Sequence, residues 1–253
     1  MKNYFYLISV SFLFLFIACS SDSSTGSEDK EPSLKEIAYY NIAVEEPSGL
    51  GLSLDGNYLW TVSDATNRVY KISLTGEILE TLSYRGNDLE GIVQNPADST
   101  LWVAEEYISH MIQIDTVGSV LDSVRIPGAG GSGGLEGITI NTSNDHFFLV
   151  KEKDPGKLIE LGANYDLLLY KTIMFAFDYS GITYVPQNQR LWILSDQNEK
   201  VFECDLEGHV IREYIIDVRK PEGIAMDFEN KLVYIVSDSY DRLYIFSIEN
   251  YIE

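Results

Sequence analysis

The sequence predicts an all-β fold, a five-bladed β-propeller of four-stranded antiparallel blades, and three observations carry that prediction. A glycine-centred segment recurs five times, with its glycine at Gly49, Gly91, Gly137, Gly181 and Gly223, at intervals of 42, 46, 44 and 42 residues. Spacing of that size marks a repeat architecture. Each copy is followed by the same series of short alternating apolar segments separated by turn residues, and the last copy lacks one strand that an unassigned N-terminal segment can supply. Helical periodicity is not evident between residues 35 and 253.

Taken in order, Lys35 to Ile42 reads as a strand with no partner of its own. The first repeat then gives the pattern: a strand at Gly49 to Ser53, a turn at Asp55-Gly56-Asn57, a second strand at Tyr58 to Ser63, and a turn at Ala65-Thr66-Asn67. A third strand at Val69 to Ser73, a turn at Thr75-Gly76-Glu77 and a fourth strand at Ile78 to Leu82 complete it. Later copies match position by position. Their second strands are Leu101 to Ala104, Phe147 to Val150, Leu191 to Leu194 and Val233 to Val236, so that an aromatic recurs as Trp60, Trp102, Phe148, Trp192 and Tyr234. The fifth repeat ends after three strands, and the segment from Lys35 is expected to close its blade, which would leave no open edge at the join. A six-bladed ring would need a sixth copy, and a β-sandwich would leave the period unexplained. The run Gly128 to Gly134 accounts for the one interval of 46 and is expected to be a flexible loop at a blade junction.

Composition narrows the function. The 253 residues carry 39 acidic against 18 basic side chains, a net charge of −21. Nucleic acid and anionic membrane surfaces require basic patches and are excluded as partners; cations or basic ligands fit better. Residues 1–18 read as an export signal, with Lys2 followed by an apolar run from Tyr4 to Ile17 too short to span a bilayer comfortably. The run ends in Phe16-Ile17-Ala18-Cys19, which resembles a bacterial lipobox with Phe16 where leucine is usual. The expectation is therefore lipidation at Cys19, a polar tether over 19–34, and a domain over 35–253 attached to the cell envelope through lipid alone, at the outer membrane or periplasmic face. Cys204, the other cysteine, lies in an alternating apolar segment and reads as a half-buried structural thiol.

The chemistry is expected at one mouth of the central channel, where the start of each first strand and the end of each second strand meet. Two columns of residues fall there. The residue before each glycine is Ser48, Glu90, Glu136, Ser180 or Glu222, and the residue closing each second strand is Asp64, Glu106, Glu152, Asp196 or Asp238. Crowded carboxylates raise one another's pKa and call for cations, and hard oxygen donors suit calcium rather than zinc. A basic residue follows each second-column acid by four or five positions, at Arg68, His110, Lys157, Lys200 and Arg242, so a salt bridge within each blade is the competing structural reading. Glu90, Glu136, Glu222, Glu105 and Glu106 remain as candidate metal ligands. No Ser-His-Asp set, phosphate-cradling loop or zinc signature is present.

The segments Glu46-Pro47-Ser48-Gly49-Leu50, Leu59 to Asp64, Asp88-Leu89-Glu90-Gly91-Ile92 and Pro221-Glu222-Gly223-Ile224 together resemble the SdiA-regulated (YjiK-like) family of bacterial envelope proteins. That resemblance implies a five-bladed propeller related to NHL-type repeats, a calcium site, and no established catalysis. The expected function is thus a non-enzymatic, monomeric, calcium-binding propeller that takes a protein or small-molecule ligand at its acidic mouth. The alternative is a calcium-dependent hydrolase of the lactonase or phytase kind.

Overall fold

The computed structural model describes residues 31–130 and 133–251. The expected export signal, Cys19, nearly all of the tether, and Gly131 and Ser132 of the glycine-rich run lie outside the described residues. The rest is five four-stranded antiparallel sheets. Their innermost strands are Pro47–Leu52, Leu89–Gln94, Leu135–Asn141, Gly181–Val185 and Pro221–Asp227. The only helix among the described residues is a single 3-10 turn, Asp238–Tyr240, and no described helix is long and apolar enough to cross a membrane.

The fifth blade closes as expected. Its outer strand is Ser33–Asn41, which starts two residues before the expected Lys35 and pairs antiparallel with the last strand, Arg242–Glu249, from Ser33 opposite Glu249 to Asn41 opposite Arg242. Every described strand and every described core cluster falls within residues 33–251, where five four-stranded blades close the ring.

Five apolar clusters sit at the five joints between neighbouring blades. Trp60, Val62 and Val69 of blade 1 pack on Leu89, Ile92 and Leu101 of blade 2, and the ring ends with Tyr234, Val236 and Leu243 of blade 5 on Leu50, Leu59 and Ile72 of blade 1. The aromatic column supplies the largest contacts, and all five of its members are buried. Burying such a side chain is worth about 1.5–3 kcal/mol, so this column is the cement of the ring.

The glycine column solves a closer problem. A Cβ built on Gly49 would sit 2.5 Å from the Glu90 carbonyl oxygen, one on Gly91 2.7 Å from that of Glu136, one on Gly181 2.9 Å from that of Glu222, and one on Gly223 2.2 Å from that of Ser48. Each inner strand touches the backbone of the next, and the series runs round from blade 5 to blade 1. The side chains following the glycines, Leu50, Ile92, Ile138, Ile182 and Ile224, are buried. They leave about 10 Å³ of free space in mid-channel, at the lower limit of roughly 10–15 Å³ needed to hold one water. The channel is plugged, and its two ends are separate sites.

Two expectations are corrected. Cys204 is fully rather than half buried, and desolvation pushes its thiol up to about 12, which removes it from redox or nucleophilic chemistry at neutral pH. The glycine-rich run is not loose at its described ends: Ala129 is buried in the joint between blades 2 and 3, Tyr170 donates to the Gly128 carbonyl at 2.8 Å, and the Gly134 N–H donates to Glu106 at 2.6 Å.

Candidate metal centre at the acidic mouth

A bulge places the first column. Leu89 stands opposite Glu105 and Gly91 opposite Ala104, so Glu90 is an extra residue in its strand. Glu136 lies between Leu135, opposite Lys151, and Gly137, opposite Val150; Glu222 lies between Pro221, opposite Ser237, and Gly223, opposite Val236. A bulged residue leaves the pleat, bends its strand and re-aims its side chain. The three glutamates are thereby turned out of the alternation that buries their neighbours between blades. In blade 4 the strand begins at Gly181 with no such insertion, and Ser180 donates instead to the Pro221 carbonyl at 2.6 Å.

A backbone clasp places the second column. The N–H groups of Asp64, Glu106, Glu152 and Asp238 donate to the carbonyls of Glu46, Asp88, Gly134 and Lys220, at 3.2, 2.9, 2.9 and 3.2 Å. These acceptors stand three residues before each repeat glycine. Glu46, Asp88 and Lys220 hold left-handed φ values of 42°, 63° and 47°, the turn that folds each chain entry over the channel. The clasp brings each second-column acid beside the first column.

The tightest product of this geometry is Asp64, Asp88 and Glu90, each of which offers a carboxylate oxygen within 4.8 Å of the others. Asp88 also lies within hydrogen-bonding reach of Glu106. Desolvation and then Asp88 hold Asp64 above the usual carboxylate range; desolvation and the neighbouring Glu106 hold Asp88 above it, although its hydrogen bond with Asp64 opposes the shift. Burial lifts Glu90 well above it, although the Ser48 hydroxyl donates to its Oε2 and opposes the shift. Glu136 is lifted well above its ordinary value by burial and then by Glu90, Glu106, Glu152 and Glu222; it is 8 % exposed and has no hydrogen-bond partner among the described residues. Burial and then Asp196 and Asp238 raise Glu222 to about 8. Lysines compensate only locally: Lys153 pairs with Glu152, and Lys220 with Asp238 at 3.0 Å.

The donor set fits calcium. Oxygens bound at 2.3–2.6 Å from one ion can lie up to about 5 Å apart, which the 4.8 Å spread of Asp64, Asp88 and Glu90 satisfies. Nitrogen ligands are elsewhere: His110 meets Ser123 at 2.9 Å, His146 meets Glu160 at 2.8 Å, and His209 meets Asp205 at 2.9 Å. A larger space of about 500 Å³ opens at the other end of the channel, lined by the ends of the inner strands and by Asp55, Gln94, Tyr184 and Asp227. Among the described residues it gathers no set of ligating groups comparable to Asp64, Asp88 and Glu90, so the chemistry rather than the volume decides between the two ends.

Several expected roles change. Glu105 is 5 % exposed, and its Oε1 accepts from the Tyr84 hydroxyl at 2.6 Å and from the Asn87 N–H at 3.1 Å. These bonds tie it to the joint between blades 1 and 2 rather than to the mouth. Glu105→Ala is expected to lower unfolding stability by about 2 kcal/mol, the loss typical of hydrogen bonds to a charged acceptor, while calorimetric calcium uptake stays as in wild type. Salt bridges from the second column to the basic residues after it do not form. Arg68, His110, Lys157, Lys200 and Arg242 each pair in register with the residue before the acid, namely Ser63, Glu105, Lys151, Ser195 and Ser237. Their side chains reach outward instead: Lys200 to Glu213 at 2.7 Å, Lys157 to Thr172 at 2.6 Å, and Arg242 to Asn41 at 2.9 Å.

Asp88 and Asp178 lie at the mouth but outside both columns read from the spacing. Asp178 is 2 % exposed, accepts from Ser195 and Gln197, and pushes up the neighbouring Asp196 and Glu222. Both aspartates stand three before a repeat glycine, which was the available signal.

A family model described as SdiA-regulated matches residues 31–247. Among solved structures, the chain is similar to a glutaminyl cyclase of Myxococcus xanthus, with 13 % identity over 86 % of this chain and 97 % of that one, at a TM-score of 0.65. It is similar also to a chain of a nidogen/laminin complex, at 12 % identity, 77 % and 73 % coverage and a TM-score of 0.57. A streptogramin B lyase gives 16 % identity, 86 % and 74 % coverage and a TM-score of 0.52. At these identities the likeness is one of fold.

Proposed function

The chain belongs to the SdiA-regulated family, and on that premise we propose that it is a calcium-binding, non-enzymatic propeller that presents its acidic mouth to a ligand or protein partner. The observation that carries this reading is the convergence of Asp64, Asp88 and Glu90 beside the buried, unpartnered carboxyl of Glu136. Such a group of anions is costly to hold together unless a cation neutralises it. Asp64, Asp88 and Glu90 would hold the ion, with Glu136 and Glu106 adjoining. Bound there, calcium would offset the carboxylate charge and leave coordination positions open to an oxygen of the ligand.

Calorimetric calcium titration tests the assignment. Wild type is expected to bind, and Asp88→Asn and Glu90→Gln each to weaken binding by about tenfold or more, equivalent to ~1.4 kcal/mol or more. Absent binding in wild type, or unchanged binding in both variants, would sink it. The proposal extends to attachment at the cell envelope through a lipid on Cys19, which rests on the sequence pattern; mass spectrometry of the membrane-extracted chain should find the lipid on an N-terminal Cys19, and an unmodified cysteine would end that part of the proposal.

A second reading, a calcium-dependent hydrolase or lyase, draws on one observation: Glu222, raised to about 8, holds a proton near neutral pH close to the proposed metal and would suit general acid work. Turnover of a lactone, an ester, phytate or a streptogramin B that vanishes in Glu222→Gln would replace the binding reading.

A further inference from the structure

The most exposed large apolar side chains of the ring are gathered at one end. Met174 is 86 % exposed, Ile215 77 %, Phe177 75 % and Tyr107 73 %, and no other large apolar residue among the described ones exceeds 59 %. All four stand in or at the edge of the loops that join second to third strands or lead from one blade to the next. That is the end where the carboxylates converge. Ile108 and Tyr240, 41 % and 48 % exposed, belong to the same set of loops. The link to the acids is local: Tyr107 follows Glu106, Phe177 precedes Asp178, and Tyr240 is two residues from Asp238. The Phe177 N–H donates to Asn198, in the loop after Asp196, at 2.8 Å.

Isolated exposed apolar residues are ordinary on a protein surface, but exposed apolar groups gathered at one end of a fold beside polar and charged residues mark an interaction site. The group is spread over the loops of blades 2, 3, 4 and 5, so a small molecule in the channel would not reach all of it; a protein surface would. Charge sets the partner's sign. With Asp64, Asp88 and Glu90 committed to a metal, and Glu152 and Asp238 paired with Lys153 and Lys220, the acids Glu106, Glu136, Asp196 and Glu222 form no direct ion pair among the described residues, and Lys151, Lys153 and Lys220 act on them only at longer range. Aromatic side chains and methionine are the residue types that anchor such contacts, the first by large rigid area and the second by adaptable packing.

We propose that this end of the propeller docks a protein segment in which lysine or arginine is bordered by apolar side chains, the cation entering the acidic mouth and the apolar groups resting on Met174, Phe177, Ile215 and Tyr107. The proposal rests on the reading of the mouth as a binding site and adds the chemistry of its partner. Association is steered by charge and so weakens with salt.

Residues 31–253, which contain the whole ring, are titrated in calcium-containing buffer at moderate salt with a short fluorescent peptide alternating lysine with leucine and phenylalanine, read by anisotropy. Two control peptides replace lysine by glutamate, or the apolar residues by serine. The first peptide is expected to bind about tenfold or more tighter than either control, a difference of ~1.4 kcal/mol or more. Phe177→Ser and Met174→Ser should each weaken it several-fold with the calcium isotherm unchanged, whereas Leu54→Ser, exposed at the opposite end, should not. Equal affinity for the three peptides, or undiminished binding in both loop variants, overturns the proposal. Peptide discrimination that persists in a chain taking up no calcium would leave this docking intact and remove the metal from the function.

Discussion

Gly223→Ala is expected to cost about 3 kcal/mol or more, the upper range for forcing extra volume into packed structure, whereas Gly56→Ala should cost about 1–2 kcal/mol, the strain of a left-handed non-glycine residue. The contrast isolates the ring closure. A Cβ on Gly223 would meet the Ser48 carbonyl oxygen at 2.2 Å, the Leu50 nitrogen at 2.7 Å and the Gly49 carbonyl carbon at 2.8 Å. All three are backbone atoms, so no side chain can move aside to relieve the contact. The joint between blades 5 and 1 would have to open, and with it the cluster of Leu50, Leu59, Tyr234 and Val236. Gly56 has φ +69° and nothing within 4 Å of its Cβ position, so its substitution carries conformational strain alone. For a domain of this size, each kcal/mol lowers the melting temperature by roughly 2–4 °C, and thermal unfolding of the two variants side by side reads the difference. Similar small losses in both would mean that the inner strands can separate slightly without penalty, and the glycine column would lose its explanation.

That column was legible in the sequence because the same physical demand recurs in every blade: the inner strands must touch, and only glycine lets them. The aromatic column was legible for the same reason, since each joint needs one large apolar filler. What varies from blade to blade was harder to read. The residue three before each glycine is Glu46, Asp88, Gly134, Asp178 or Lys220; the backbone carbonyl there makes the clasp in four blades, so the side chain is free to differ, and Asp88 and Asp178 stood in no column of like residues. Glu105 was misplaced because its fate depends on Tyr84, which the preceding blade contributes from its outer strand. The basic residues were misdirected by counting along a hairpin: register pairs Lys200 with Ser195 rather than with Asp196, and the long side chain then finds Glu213 on the outer strand.

The mouth itself should make the metal-free protein less stable as pH rises, the reverse of ordinary acid denaturation. Glu90 and Glu136 are held well above the ordinary glutamate value of 4.5, and Glu222 is raised to about 8, chiefly by burial. A carboxyl whose folded pKa exceeds its unfolded one stabilises the fold fully below the unfolded value and ceases to do so as pH climbs through the folded value. The window is therefore about pH 4.5 to 8. The lowered groups, Asp55, Asp115 and Asp205, act in the opposite sense only below their ordinary value of 3.8, outside that window. In EDTA the melting temperature should fall between pH 5 and pH 8, and millimolar calcium should remove most of the fall, because an ion at 100 times its dissociation constant adds ~2.7 kcal/mol. Binding must then expel protons, so apparent calcium affinity should rise across the same interval, and calorimetry in buffers of different ionisation enthalpy should detect the release. Glu136→Gln gives the sharper case. Removing a buried charge that lacks a partner should raise the pH 8 melting temperature in EDTA while weakening calcium binding, so that one substitution stabilises the empty ring and impairs the loaded one. A melting temperature in EDTA that stays level from pH 5 to pH 8 would mean that these carboxyls titrate as exposed ones do, and the electrostatic case for a cation at the mouth would fail with it.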